Sequence, residues 1–378
     1  MIDVGRIRQV REFNGWTQTE LARRLDVTQP FVARVENGWA KAPDAFVRAL
    51  VFQSGFPTSF FERPSEFDFP LGSLLFRSKS GMTEREQRSI HRHAYMAYEL
   101  VQRMFRKPAV CKVPVRVPSS RDGDPEGAAV LARSELGLSP DTPVDHVIYA
   151  MEAAGIVVIT LPRDFMQGDA FSAWALSDHD TRRPVVVLSS SRPADRVRMS
   201  AAHELAHLVM HQPARGTRSE MEAEAKRFAS AFLLPADAML QELTGPFTLD
   251  TFVRLKTRWK VSIQALIVRA YQLELITQRK YRSLFQRLTA RGWRTHEPLS
   301  TRVPLERPRA VRQIAELLYG QRLDYSRVAA DVGYPESFVR ELMECQAAKN
   351  RPVGAAVGTE ERPLETARGE VVTFRRAD

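Results

Sequence analysis

The chain has 378 residues, 44% hydrophobic and 26% charged, and its 55 Lys and Arg outweigh 45 Asp and Glu for a formal charge of +10. That composition suits a soluble chain with more than one core, and the basic excess is compatible with an anionic partner, nucleic acid first. No stretch reaches the ~18 apolar residues of a membrane span; Met1 to Arg6 lacks a signal-peptide layout; and two distant cysteines, Cys111 and Cys345, exclude a disulfide framework or a cysteine-based zinc site.

Residues 3–64 read as short helices punctuated by Gly15 and Gly38. Thr17 and Glu20 have capping-box spacing, so a helix is expected to start there with Leu21, Ala22 and Leu25 inward. Thr28 is placed to cap the next helix, Pro30 falls in its first turn, and Val32 and Val35 face inward. Two short helices about a tight turn form helix-turn-helix geometry, which leaves Gln29, Phe31, Ala33 and Arg34 as its outer face. Gln and Arg bond base edges at two points, and apolar groups meet the thymine methyl. A small helical bundle that binds only protein is the other reading of this module.

The stretch WTQTELARRLDVTQPFVARVENG resembles the Xre/Cro-type helix-turn-helix of bacterial and phage regulators, over roughly residues 4–62. The resemblance implies that Gln18 and Asn37 contact phosphates and that Gln29, Phe31 and Arg34 face bases. It also implies a double-stranded DNA operator bound by a homodimer. Pro30 departs from the small polar residue common at its position.

Residues 76–112 have the spacing of one or two helices, and Pro114 to Pro125 reads as a linker. Helical spacing returns over Glu126 to Leu136 and Pro143 to Ala154, and β-branched runs at 156–161 and 184–188 read as buried strands. GDAFSAWA, from Gly168, reads as a third, edge-like strand. Helices at about 194–212 and 219–233 follow, stopped by Pro235.

The first of these helices carries His203-Glu204-Leu205-Ala206-His207. Residues four apart share a helix face, so both imidazoles reach one metal ion, and Glu204 beside them is placed to act as general base. The third ligand must come from elsewhere; periodicity in the next helix leaves Glu222 and Glu224 both open. His211 reads as a helix-end residue favoured by the dipole, with an outer role at the metal as the alternative.

GDAFSAWA, PVVVL, RMSAAHELAHLVMH and EMEAEAKRFASAFLLP, in that order, are together similar to the ImmA/IrrE metallo-endopeptidases, over roughly residues 145–236. The resemblance implies a zinc ion held by His203, His207 and Glu222, with Glu204 catalytic. It implies that an extended substrate peptide lies along Asp169, Ala170, Phe171, Ser172, Ala173 and Trp174. Lys226 stands where the family often has Asn.

Residues 253–294 hold eleven basic side chains against the single acid Glu274, whereas residues 1–64 hold nine against seven. The segment is helical in spacing and reads either as a second nucleic-acid surface, with Lys256, Arg258 and Lys260 among its contacts, or as a solvated helical cap. Residues 305–345 read as a small helical module, and Glu370 to Phe374 as a strand in a poorly ordered tail.

The expected fold is multidomain and mainly α with an α+β core. Its parts are a five-helix helix-turn-helix bundle (1–64), a helical connector (65–125), a zincin-like metallopeptidase domain with a small sheet (126–246), a basic helical region (247–298), a small helical module (299–350) and a tail (351–378). The expected function is a cytoplasmic, DNA-binding and so nucleoid-associated regulator. Its zinc endopeptidase domain would cut the chain itself or a partner regulator in response to a signal. A non-enzymatic regulator using the peptidase fold as sensor or dimerisation scaffold, and a protease whose first module binds protein, are the alternatives.

Overall fold

The computed structural model describes residues 2–65, 67, 69–70, 72, 83–110, 113–120, 123–162, 170–176, 182–190, 192–212 and 216–346. The tail beyond 346, with the strand expected at Glu370 to Phe374, lies outside the described residues.

Five helices form the N-terminal module: α1 (Val4–Phe13), α2 (Gln18–Arg24), α3 (Gln29–Glu36), α4 (Asp44–Ser54) and α5 (Thr58–Phe61). The start of α2 follows from its capping box: Thr17 Oγ1 accepts from the Glu20 N–H at 3.1 Å, and the Glu20 carboxylate accepts from the Thr17 N–H at 2.6 Å. Thr28 is the N-cap residue of α3, but its side chain makes no cap hydrogen bond, unlike the expectation for it. Ile7, Val10, Leu21, Val32 and Val35 close the core of the module.

Among the described residues of the connector there is one α-helix, α6 (Glu84–Phe105). Its own capping box, Thr83 with Glu86, sets its start. Helices α7 (Pro125–Glu135) and α8 (Val147–Ala153) then lead into three strands, β1 (Val157–Leu161), β2 (Ala170–Leu176) and β3 (Arg182–Ser189). β3 is central; β1 runs parallel to it with Val157 opposite Val185, and β2 antiparallel with Ser172 opposite Val186.

The remaining helices are α9 (Ala194–Met210), α10 (Arg218–Leu233), α11 (Ala236–Glu242), α12 (Leu249–Trp259), α13 (Ile263–Gln272), α14 (Gln278–Ala290), α15 (Ala310–Tyr319), α16 (Tyr325–Val332) and α17 (Glu336–Cys345). The chain is thus multidomain and mostly helical, with a small mixed sheet at its centre.

Strand alternation gives the sheet two buried faces. Val158, Ala170, Val186 and Leu188 pack with Leu205 of α9, Phe228 of α10 and Trp259 of α12. Val157, Ile159, Phe171, Val185 and Val187 pack with α6, the C-terminal helices and the N-terminal module in one continuous core. The sheet is the wall between these two cores.

Ion pairs tie the layers together. Arg198 of α9, fully buried, bonds Glu306 and the Val144 carbonyl. Lys256 of α12, also fully buried, bonds Asp195 at 3.0 Å and Glu297 at 2.7 Å. Arg258 pairs with Glu242, Lys260 with Asp145, and Arg269 with Glu126. The expectation that Lys256, Arg258 and Lys260 form a nucleic-acid contact is therefore corrected: Lys256 is a core group neutralised by two carboxylates, and its two neighbours are paired.

Candidate metal centre and DNA-reading face

α9 carries His203 and His207 on one face, and α10 runs against it so that Glu222 meets both. The His203 and His207 Nε2 atoms are 3.2 Å apart. Glu222 oxygens lie 3.5 Å from the first and 3.6 Å from the second. Four-coordinate zinc with bonds of about 2.0–2.1 Å holds its ligand atoms roughly 3.3–3.4 Å apart; here each imidazole is nearest a different Glu222 oxygen, and one ligand atom from each of the three residues lies within 4.8 Å of the other two. The donor set, two imidazoles and a carboxylate, also fits a metal with an open position. Burial alone would raise the Glu222 carboxyl, but the adjacent His203 and His207 imidazoles outweigh it and hold the group well below the usual carboxylate range.

A relay runs outward from His207. Its Nδ1 lies 2.8 Å from His211 Nδ1, and His211 Nε2 lies 2.9 Å from Glu224. Burial pushes the His211 imidazole down, against the pull of Glu224. With a neutral His211 donating from Nε2 to Glu224, its Nδ1 accepts from His207, and His207 Nε2 is left as the lone-pair atom facing Glu222. Glu224, which periodicity leaves open as a ligand, thus orients the cluster from outside. His211 is the C-cap residue of α9, as a helix-end residue should be, and is also part of this relay. Its spacing, four residues beyond His207, is the sequence signal for that second role.

Glu204 is fully buried, and the Ser172 hydroxyl of β2 donates to it at 2.9 Å. The strand expected to hold substrate is therefore bonded to the expected general base. Trp174 donates its indole N–H to the Leu208 carbonyl at 3.3 Å, and Ala170 and Phe171 are buried on opposite faces of the sheet. Asp169 lies outside the described residues. β2 is an edge strand. Gly72 of the connector, at φ +54°, is packed so close to it that a Cβ there would overlap the Ser172 carbonyl oxygen and lie 2.8 Å from the Ala173 Cβ.

On the N-terminal module, Gln29 donates to Gln18 at 2.8 Å, Gln18 donates to Glu36 at 2.9 Å, and Arg11 clamps Glu36 at 2.6 Å. This chain of bonds fixes α2 against α3 and presets both glutamines. Arg34 and Asn37 are exposed, Asn37 as the C-cap of α3. Phe31 differs from its expected place on the outer face: it is half-buried, its ring edge-on to Phe46 at 5.9 Å, so it serves packing within the module.

Residues 7–47 match the helix-turn-helix family, and residues 151–271 match the family described as an IrrE N-terminal-like domain, a metallopeptidase family. The second match begins within α8 and runs past residue 246 through α12 and nearly all of α13. No curated protein matches the chain. The chain thus joins a DNA-binding helix-turn-helix domain of Xre type to a peptidase-family domain of the IrrE/ImmA kind. Among the described residues, no helix is long and apolar enough to cross a membrane.

Proposed function

We propose that the protein is a homodimeric, cytoplasmic transcription regulator whose second domain is a zinc-dependent endopeptidase that acts on a regulator protein in response to a signal. The observation that carries the enzymatic half is the triangle of His203, His207 and Glu222 donor atoms beside a buried Glu204. Zinc held by these three would supply Lewis acidity at a peptide carbonyl. Glu204 takes a proton from the attacking water and delivers it to the departing amine. Ser172 orients Glu204 by its hydrogen bond, and His211 with Glu224 holds His207 in the productive tautomer. For the DNA-binding half, Gln29 and Arg34 read bases while Gln18 and Asn37 hold phosphates.

Of two substrates, the chain itself and a partner regulator, the packing of Gly72 against Ser172 and Ala173 favours the chain itself. Its own connector already touches the strand that would carry substrate. The test compares cleavage products between wild type and Glu204→Gln, in cells and with purified protein. Loss of all specific products with metal and DNA binding retained is expected; cleavage that persists in Glu204→Gln overturns the assignment.

A further inference from the structure

The basic excess of residues 253–294 divides in two. On α12 and α13 and the turn between them, Lys256, Arg258, Lys260 and Arg269 each have a carboxylate partner, while Arg254 is exposed and forms no ion pair among the described residues. On α14 and the turn after it, Arg279, Lys280, Arg282, Arg287, Arg291 and Arg294 form no ion pair among the described residues, and all but the half-buried Lys280 are exposed. We propose that this unpaired set is a second DNA-contacting surface, which grips the phosphate backbone of duplex DNA without reading bases. It deepens the DNA-binding reading of the N-terminal module and rests on it.

Three observations point to a ligand rather than to a merely solvated face. First, Leu284 and Leu288 are the buried residues of α14, and at 100° per residue Arg279 and Arg282 fall on the opposite half of the helix, with the exposed Arg287 at the flank of the buried side. Second, the charges oppose local helix stability. The first turn of α14 carries Arg279 and Lys280 and no acid, against the helix dipole, and Arg287 and Arg291 are like charges four residues apart. Third, Arg291 stacks on Trp293 and Arg294 on Phe285, each at 4.9 Å. Stacking uses the guanidinium face and leaves its in-plane N–H donors for phosphate oxygens.

Arg279 to Arg291 spans about 18 Å at ~1.5 Å per residue. Duplex DNA carries one charge per ~1.7 Å of axis, so the patch can meet several phosphates. Because the apolar side of α14 is buried, its outer face offers nothing to insert into lipid. The charge complements DNA, the partner that the helix-turn-helix match of the first domain supports.

The test measures dissociation constants for a random-sequence duplex of about 30 base pairs across a salt series. It uses the full chain as wild type, as Arg279→Gln/Arg282→Gln/Arg287→Gln, and as Gln29→Ala/Arg34→Ala. The neutralised side chains are exposed, and circular dichroism checks that both variants fold. The triple variant is expected to weaken binding and to lower the slope of log K against log salt by about 0.9 for each phosphate left without its arginine. The Gln29→Ala/Arg34→Ala variant is expected to keep the random-duplex slope while losing operator preference. An unchanged slope in the triple variant, with duplex still bound, overturns the proposal and leaves the N-terminal reading intact. Failure of the wild type to bind any duplex overturns both.

Discussion

Arg6 of α1 and Glu99 of α6 form a two-pronged ion pair, with Nη1 and Nη2 each 2.6 Å from a carboxylate oxygen and both side chains fully buried. Tyr334 donates its hydroxyl to the same carboxylate at 2.6 Å, and Arg103 adds a bond at 2.9 Å. One buried carboxylate thus pins the first helix of the DNA-binding module, the connector and the C-terminal helices. Removing one member leaves a charge uncompensated in the core, which costs about 3–5 kcal/mol. Glu99→Ala is expected to lower unfolding stability by that order, and Arg6→Met with Glu99→Leu to cost much less. Denaturant titration of the two variants checks this; equal destabilisation would mean that the pair itself carries the stability.

The outer relay gives a graded expectation for metal binding. His203→Ala, His207→Ala or Glu222→Ala should each abolish stable loading. Glu224→Ala should weaken affinity by about 10–100-fold, since groups behind a metal-binding imidazole contribute on that scale. Competition with a chromophoric chelator measures both. Loading of Glu224→Ala indistinguishable from wild type would remove Glu224 from the centre.

Much of the site is legible in the sequence because its determinants are local. The His203–His207 spacing, the capping box at Thr17 and the β-branched strands are set by residues within one or two turns of each other. The fate of the charges is not legible in this way. Lys256 and Arg282 look alike in sequence, yet one is buried with Asp195, 61 positions away, and the other is exposed. Phe31 escapes periodicity for a related reason, because its partner Phe46 lies on a helix that the α3 pattern does not see. Ser172 stands out in sequence only as a strand residue, since its bond to Glu204 depends on how β2 meets α9.

A buried carboxyl outside the His203, His207 and Glu222 cluster makes stability depend on pH. Burial raises Glu152 of α8 to about 7, against weaker opposing bonds from the Ala310 and Arg309 N–H groups. A raised carboxyl stabilises fully below its unfolded value of ~4.5, and that contribution fades as pH climbs through about 7. The span corresponds to about 3 kcal/mol at most. Relative to Glu152→Gln, the wild type should lose stability between pH 5 and pH 7.5 in urea titrations. Parallel pH profiles for the two proteins would contradict this.

Gly72 should tolerate no side chain. Its φ of +54° disfavours other residues, and a Cβ would overlap the Ser172 carbonyl. Gly72→Val is expected either to cost about 1–3 kcal/mol or to lift the connector away from β2. Faster limited proteolysis of the connector would mark the second outcome. A variant with wild-type stability and wild-type proteolysis would show that the close approach is not held.

Phe171 and Ser172 are neighbours on β2, yet the first is bedded in the core that holds the N-terminal helices and the second bonds the glutamate beside the metal ligands. A slip of β2 by one residue would exchange these faces, pushing an aromatic ring against Glu204 and a hydroxyl into the core. The core of the N-terminal helices and the cluster of Glu204 with the two histidines are therefore tied to one register of β2.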